Sequence, residues 1–211
     1  MKTYTVKEIY YTLQGEGAHA GRPAVFCRFS GCNLWSGREE DRSTAICRFC
    51  DTDFRGTDGP LGGKYVAEEL ARVIQSCWPA DSAVVPYIVC TGGEPLLQLD
   101  QELLDVFHHY GFIVAVETNG TVMPPEGLDW ICMSPKANTE IFLTKGDELK
   151  LVYPQEGAEP EKFADFEFKY FFLQPMDGPD IAYNTRQSIA YCLAHPQWHI
   201  SVQTHKMLQI P

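Results

Sequence analysis

The chain has 211 residues, 45% of them hydrophobic and 21% charged, a length and balance that predict one compact domain with a sizeable core. A formal net charge of -11, with no run of Lys and Arg longer than two, argues against a surface that tracks nucleic-acid phosphates. Met1 to Glu8 lack an apolar signal-peptide core and no eighteen apolar residues run together, so a soluble, cytoplasmic protein with no membrane partner is expected.

In chain order, the apolar run Ala24 to Phe29 reads as a strand. Val66, Leu70, Val73, Ile74 and Cys77 recur at helical spacing and predict a helix. A strand over Val84 to Cys90 follows, then a second helix carrying Leu99, Leu103, Val106 and Phe107. Further strands are expected over Phe112 to Glu117, Trp130 to Met133, Leu149 to Tyr153 and Lys169 to Leu173. A third helix covers Thr185 to Ala194 and ends before His195-Pro196, and His199 to Gln203 reads as a last strand. Several runs are almost continuously apolar, as in a parallel sheet covered by helices. The segments after Glu117, Lys136 and Tyr153 are too short, or too broken by Gly and Pro, for full crossover helices. The expected fold is therefore α/β: a modified partial (β/α) barrel of about six mostly parallel strands with about three helices.

Polar segments follow the strands directly: Thr91 to Glu94, Glu117 to Gly120, Ser134 to Lys136, Gln174 to Asp177 and Thr204 to Lys206. The carboxyl ends of parallel strands share one edge, so these segments are expected to converge on one site, although any one of them also suits an ordinary turn.

Eight cysteines in a reducing compartment point to metal binding, catalysis or simple burial rather than disulfides. Cys47 and Cys50, two residues apart, can reach one metal centre from a single turn of chain, and Cys32 returns from the end of the first predicted strand. Three ligands to a 4Fe-4S cluster leave one iron open to bind a substrate or cofactor. A structural zinc site would want a fourth ligand, and Cys27, Cys77, Cys90, Cys132 and Cys192 stand singly. A thioredoxin-like pair should open a helix, whereas the flanking residues read as loop. Buried apolar thiols explain the five single cysteines better than the triplet in its polar loop.

The triplet, Gly92-Gly93-Glu94-Pro95 after a strand, and Gln14-Gly15-Glu16-Gly17 near the start together resemble the radical S-adenosylmethionine superfamily. Within it the chain is similar to the 7-carboxy-7-deazaguanine synthase family, over nearly its whole length, including Glu117 to Gly120, Ser134 to Lys136 and the ending His205 to Leu208. One departure is clear: the superfamily usually places three residues between its first two cysteines, and here Asn33 to Ile46 make fourteen. That insertion, with Trp35, Arg38 and Glu39, is expected to form an excursion covering the cluster within a single domain of residues 1–211.

The resemblance implies that Cys32, Cys47 and Cys50 ligate the cluster and that S-adenosylmethionine, cleaved to a deoxyadenosyl radical, starts hydrogen abstraction from 6-carboxy-tetrahydropterin, followed by ring contraction and loss of ammonia. It places Phe49 and Asp51 beside the cofactor, with Gly92 and Gly93 approaching its aminocarboxylate and Glu94 accepting from its amino group. Ser134, Pro135 and Lys136, with Gln174, Pro175, Met176 and Asp177, would border its ribose and adenine. Leu13, Gln14, Gly15, Glu16, Arg28, Thr91, His205 and the free carboxylate of Pro211 would bind the pterin. Arg28 lies in the apolar run Val25 to Phe29, where a charge needs a partner: a bidentate grip on a substrate carboxylate, or an ion pair with a protein carboxylate. Thr52 would be a Mg2+ ligand, in keeping with that ion's need for few protein ligands. No side chain is assigned a catalytic role. A homodimer and a reductant such as flavodoxin are implied by resemblance alone. An activating enzyme for a protein partner and a non-catalytic metal-binding module are the alternatives.

Overall fold

The apolar runs become neighbouring strands of one sheet in the computed structural model, which describes residues 2–211. The strands are β1 (Tyr4–Leu13), β2 (Pro23–Phe29), β3 (Gly63–Tyr65), β4 (Tyr87–Gly92), β5 (Ile113–Thr118), β6 (Trp130–Met133), β7 (Lys145–Tyr153), β8 (Glu167–Pro175) and β9 (Trp198–Ile200). The helices are α1 (Ala67–Cys77), α2 (Gln101–His109), α3 (Ile181–Ala194) and α4 (Thr204–Leu208). Sheet order is β3-β1-β2-β4-β5-β6-β7-β8-β9. β1 runs antiparallel to β2 and β3, and every pairing from β2 to β9 is parallel. β3 and β9 lie at opposite ends of the order and do not pair with each other, so the sheet is open and not a closed barrel.

The α/β class and the parallel core agree with the sequence, but the strand count rises from about six to nine. β1 went unrecognised because a bulge between Val6 and Glu8 breaks its alternation where Lys7 and Glu8 interrupt the apolar pattern. β3 has only three residues and α4 only five, too few for a periodicity to register. Val84 and Val85 are exposed, and the strand begins at Tyr87. The last strand is Trp198–Ile200, before most of the expected His199 to Gln203.

Period-two alternation assigns the two faces. On β2, Val25, Cys27 and Phe29 pack with Leu70, Ile74, Leu103 and Phe107 of the helices, while Ala24 and Phe26 join a smaller cluster with Tyr87, Val89 and Ala115 on the opposite face. Leu149 and Leu151 of β7 pack with Leu173 and Trp198, leaving Glu148, Lys150 and Val152 to that opposite face. Fully burying each leucine side chain contributes about 1.5–3 kcal/mol. Asp100 caps α2 by accepting from the Leu103 N–H, and Gly111 at φ 78° ends it. No helix among the described residues is long and apolar enough to cross a membrane.

Candidate active site

The helix-free face and the carboxyl ends of the parallel strands enclose a cavity of about 460 Å³. Cys32, Cys47 and Cys50 line one wall; Phe26 and Arg28, Thr91, Glu117, Cys132, Lys150 and Gln174 project into it from six strands. Leu13 to Glu16 and the C-terminal Gln203, His205, Lys206 and Pro211 line the remainder.

The long spacing between Cys32 and Cys47 closes on itself. The backbone N–H groups of Ile46 and Cys47 both donate to the Leu34 carbonyl, at 3.1 and 3.3 Å, so residues 35–45 leave and return at one point. The loop is held by the Trp35 indole N–H on the Arg38 carbonyl, and by Arg42, whose guanidinium lies 4.1 Å over the Trp35 ring. Arg42 also donates to the carbonyls of Arg48 and Cys50, tying the loop to the paired cysteines. Leu34 and Trp35 face the cavity, whereas Arg38 and Glu39 do not.

A hydrogen bond from Cys47 holds the Cys50 thiol down at about 6, while the same bond, with burial second, pushes Cys47 far up. Burial raises Cys32. Lys136 lies half-buried nearby, donating to the Ser134 carbonyl and hydroxyl, and desolvation lowers its ammonium against the opposing pull of Cys47 and Cys50. Among the described residues no three His, Cys, Asp or Glu converge tightly enough for a single ion. A cubane presents its irons at separate corners, and the donor set of three thiols lining one cavity suits it.

The loop from Gln14 to His19 crosses from β1 toward β7, β8 and β9, and its glycines are required by contact. A Cβ on Gly15 would meet His205 Nδ1 at 2.1 Å, and one on Gly17, at φ 65°, would meet Glu148 Oε1 at 1.9 Å. In that space the Gly17 N–H donates to Ser201 Oγ and the Ala18 N–H to Glu148 Oε2, both at 3.0 Å. Glu16, so placed, meets Lys150 Nζ at 2.6 Å through Oε2 and accepts from the amides of Gln174 and Gln203 at Oε1. Burial opposes the Glu16 charge, but Lys150, Gln203 and the nearby His205 outweigh it and hold the carboxyl below its usual range.

Comparison with known proteins follows the same lines. No family model matches the chain. It is 61% identical to a 7-carboxy-7-deazaguanine synthase of Caulobacter vibrioides, with 99% of this chain and 100% of that protein covered. It is 62% identical to one of Bradyrhizobium diazoefficiens, with 99% of each covered. The crystal structure of QueE from Escherichia coli superposes with a TM-score of 0.74 at 27% identity, over 95% of this chain and 94% of that one. The chain belongs to the 7-carboxy-7-deazaguanine synthase family. Membership makes it an enzyme of the radical S-adenosylmethionine kind.

Most residues that resemblance to the synthase family singled out line the cavity: Leu13, Gln14, Gly15, Glu16, Arg28, Phe49, Asp51, Thr52, Thr91, Gly92, Gly93, Ser134, Lys136, Gln174, Pro175, Asp177, His205 and Pro211 join the three cysteines. Three do not. Glu94 is 0% exposed and its carboxylate accepts from the Leu96 N–H, Thr118 Oγ1 and the Asn119 N–H, so it fastens β4 to β5. Pro135 turns its carbonyl to Gln155 Nε2, and Met176 turns its own to Asn184 Nδ2. The diglycine also has a reason beyond ligand approach: a Cβ on Gly92 or Gly93 would meet the carbonyl of Phe29 or Gly31 at 2.2 Å. Arg28 is paired within the protein, through Nε to Glu8 Oε1 at 2.7 Å and Nη2 to the Tyr10 hydroxyl at 2.8 Å, leaving its Nη1 end to a ligand.

Lys150, absent from the residues expected from the sequence, is 5% exposed between Glu16 and Glu117. The signal was available: a lysine inside the run Leu149 to Val152 poses the same question as Arg28 in its own apolar run.

Proposed function

We propose that the chain converts 6-carboxy-tetrahydropterin to 7-carboxy-7-deazaguanine, with ring contraction and loss of ammonia, in 7-deazapurine (queuosine) biosynthesis. The observation that carries this reading is the convergence of the cysteine triplet with Gln14, Glu16 and Arg28 on one cavity. Cys32, Cys47 and Cys50 would hold a 4Fe-4S cluster that, with S-adenosylmethionine bound, supplies one-electron reduction and hydrogen abstraction.

The protein's own part is placement and exclusion of water. Glu16 offers acceptors to ring N–H groups, the Gln14 amide suits an edge of mixed donors and acceptors, and the Nη1 end of Arg28 faces a substrate carboxylate. Pro211, its carbonyl oxygen accepting from Thr12 Oγ1 at 3.1 Å, also lines the cavity. Gly92, Gly93, Ser134, Lys136, Gln174, Pro175 and Asp177 border the space for the cofactor, with Phe49 and Asp51 beside it. Thr52 supplies a hydroxyl for Mg2+, the rest of whose shell would be substrate oxygens and water. Leu34, Trp35 and Phe54 form an apolar screen near the thiols. We read residues 1–211 as one domain acting as a homodimer in the cytoplasm, reduced by a carrier such as flavodoxin.

The test is anaerobic: reconstituted protein, reductant, S-adenosylmethionine, Mg2+ and 6-carboxy-tetrahydropterin. A deazapurine product with about three cysteines per cluster is expected. Deoxyadenosine without a deazapurine overturns the substrate, and zinc bound without iron overturns the cluster.

A further inference from the structure

Two carboxylates share the interior of the cavity, and one lysine lies between them. Glu117 accepts from Gln14 Nε2 at 3.0 Å and Lys150 Nζ at 3.4 Å through Oε1, and from Thr91 Oγ1 at 3.3 Å through Oε2. Glu16 likewise has three protein donors: Lys150 on Oε2, Gln174 and Gln203 on Oε1. An ionised carboxylate has about four acceptor positions. Three are filled on each, so each retains one, and in both cases it is on Oε2. The protein therefore presents two single acceptors, held apart by a common cation.

We infer that Lys150 is a positioning residue: it holds the carboxylates of Glu16 and Glu117 aimed as a two-point clamp for adjacent N–H donors of the substrate ring. The inference rests on the pterin reading above and deepens it. A pterin presents such donors at its exocyclic amino group and the neighbouring ring nitrogen, and a clamp of two acceptors selects that edge over one lacking the amino group.

The cation is needed for a simple reason. Two carboxylates lining one cavity repel one another, and the Glu16 carboxyl, which Lys150 helps hold below its usual range, is the one that takes up a proton when that counter-charge is removed. A protonated carboxyl offers an O–H where the ring requires an acceptor. The charged and titratable groups facing Lys150 are Glu16 on the loop, Glu117 on β5, Cys132 on β6, Lys136 after β6 and Glu148 on its own strand, with His205 facing Glu16. Among the charged groups described, Lys150 touches both carboxylates, while the neutral Gln14 amide joins Glu117 Oε1 to the Glu16 backbone N–H. Glu148 is committed elsewhere, to the Ala18 N–H and the Cys132 thiol.

The test measures equilibrium binding of 6-carboxy-tetrahydropterin, and of its analogue lacking the 2-amino group, to reconstituted enzyme without reductant. Wild type is compared with Lys150→Met, Lys150→Gln and Lys150→Arg at pH 6–9, with melting temperature and iron content as checks on folding. Loss of one charge-assisted bond predicts that the neutral variants bind the amino-bearing ring about 10- to 100-fold more weakly near neutral pH. They recover as pH rises, because the Glu16 carboxyl, freed of its cation, titrates at a higher pH. The desamino analogue loses less, and Lys150→Arg, keeping the charge, restores most of the affinity and a flat profile. Equal losses for both rings, or a loss independent of pH and shared by Lys150→Arg, would show a merely structural lysine and overturn the proposal. Wild-type enzyme that binds neither ring would instead overturn the pterin reading itself.

Discussion

Glu94 and Lys150 carry opposite lessons about buried charge. Glu94 follows a diglycine at a strand end, a context that suggests a ligand-binding carboxylate, yet both its oxygens are occupied by protein donors from Leu96, Thr118 and Asn119. Burial pushes its carboxyl up, and these donors oppose the shift without cancelling it. Replacing it with glutamine would turn an amide N–H₂ toward a hydroxyl or N–H donor. Glu94→Gln is therefore expected to destabilise the fold by about 3 kcal/mol, lowering the melting temperature by about 6–12 °C. Retention of the wild-type melting temperature would mean that the carboxylate is not the fastening it resembles. Lys150, by contrast, was hidden in a strand although its charge is shared across two other segments. Residue type announced that both positions needed partners, but not which partners.

At the scale of elements, the loop after β1 is shaped by what it must approach. Gly17→Ala would place a methyl against Glu148 at a positive φ, and a cost of about 2 kcal/mol is expected from the backbone alone. Thermal melting should register it, with weaker pterin binding as Glu16 shifts; an unchanged melt would count against the required close approach. At the other end of the chain, α4 is clasped by Lys206, whose Nζ is 2.6 Å from both Asp51 and Asp177. Lys206 holds Asp177 below the usual carboxyl range; at Asp51 burial opposes, but Lys206 and Gln203 prevail. Burial lowers the Lys206 ammonium, and the two aspartates more than restore it. Depressed carboxyls contribute stability that is present above their unfolded value near 3.9 and lost as pH falls through the folded ones. A raised lysine contributes until pH passes its folded value, above about 10.4. The clasp should thus hold through neutral pH and release in acid. Lys206→Met should speed amide exchange over residues 203–208 at pH 7, whereas wild type should show comparable opening only below about pH 4 after correction for intrinsic rates. Equal exchange in the two proteins at pH 7 would remove the clasp.

Across the whole molecule, the sheet joins distant parts of the chain: β1 from the N-terminus pairs beside β2, and β9 near the C-terminus closes the other edge. The open side between β3 and β9 is spanned by the Gln14 to His19 loop and by α4, tied where the Thr204 N–H and Oγ1 both donate to the Gly15 carbonyl. Deleting residues 204–211 leaves all nine strands intact and removes His205, Lys206 and Pro211 from the cavity. The truncated protein should still fold and take up iron, but bind the pterin at least about 100-fold more weakly, the loss expected from several charge-assisted contacts. Binding within threefold of wild type would exclude the chain end from the site.

The sequence by itself determined the α/β class, the parallel core, the three main helices and the cysteine triplet, because period-two and helical patterns and cysteine spacing are local properties of the chain. It also placed the polar segments at strand ends, since parallel strands must share an edge. The tertiary structure alone decided that the long cysteine spacing is pinched shut at Leu34, that Glu94 faces inward, and that Gly15 and Gly17 make room for His205 and Glu148. It also brought Lys150 between Glu16 and Glu117. Each of these depends on register and on neighbours far apart in sequence, and burial gives a charge its meaning only once those neighbours are known.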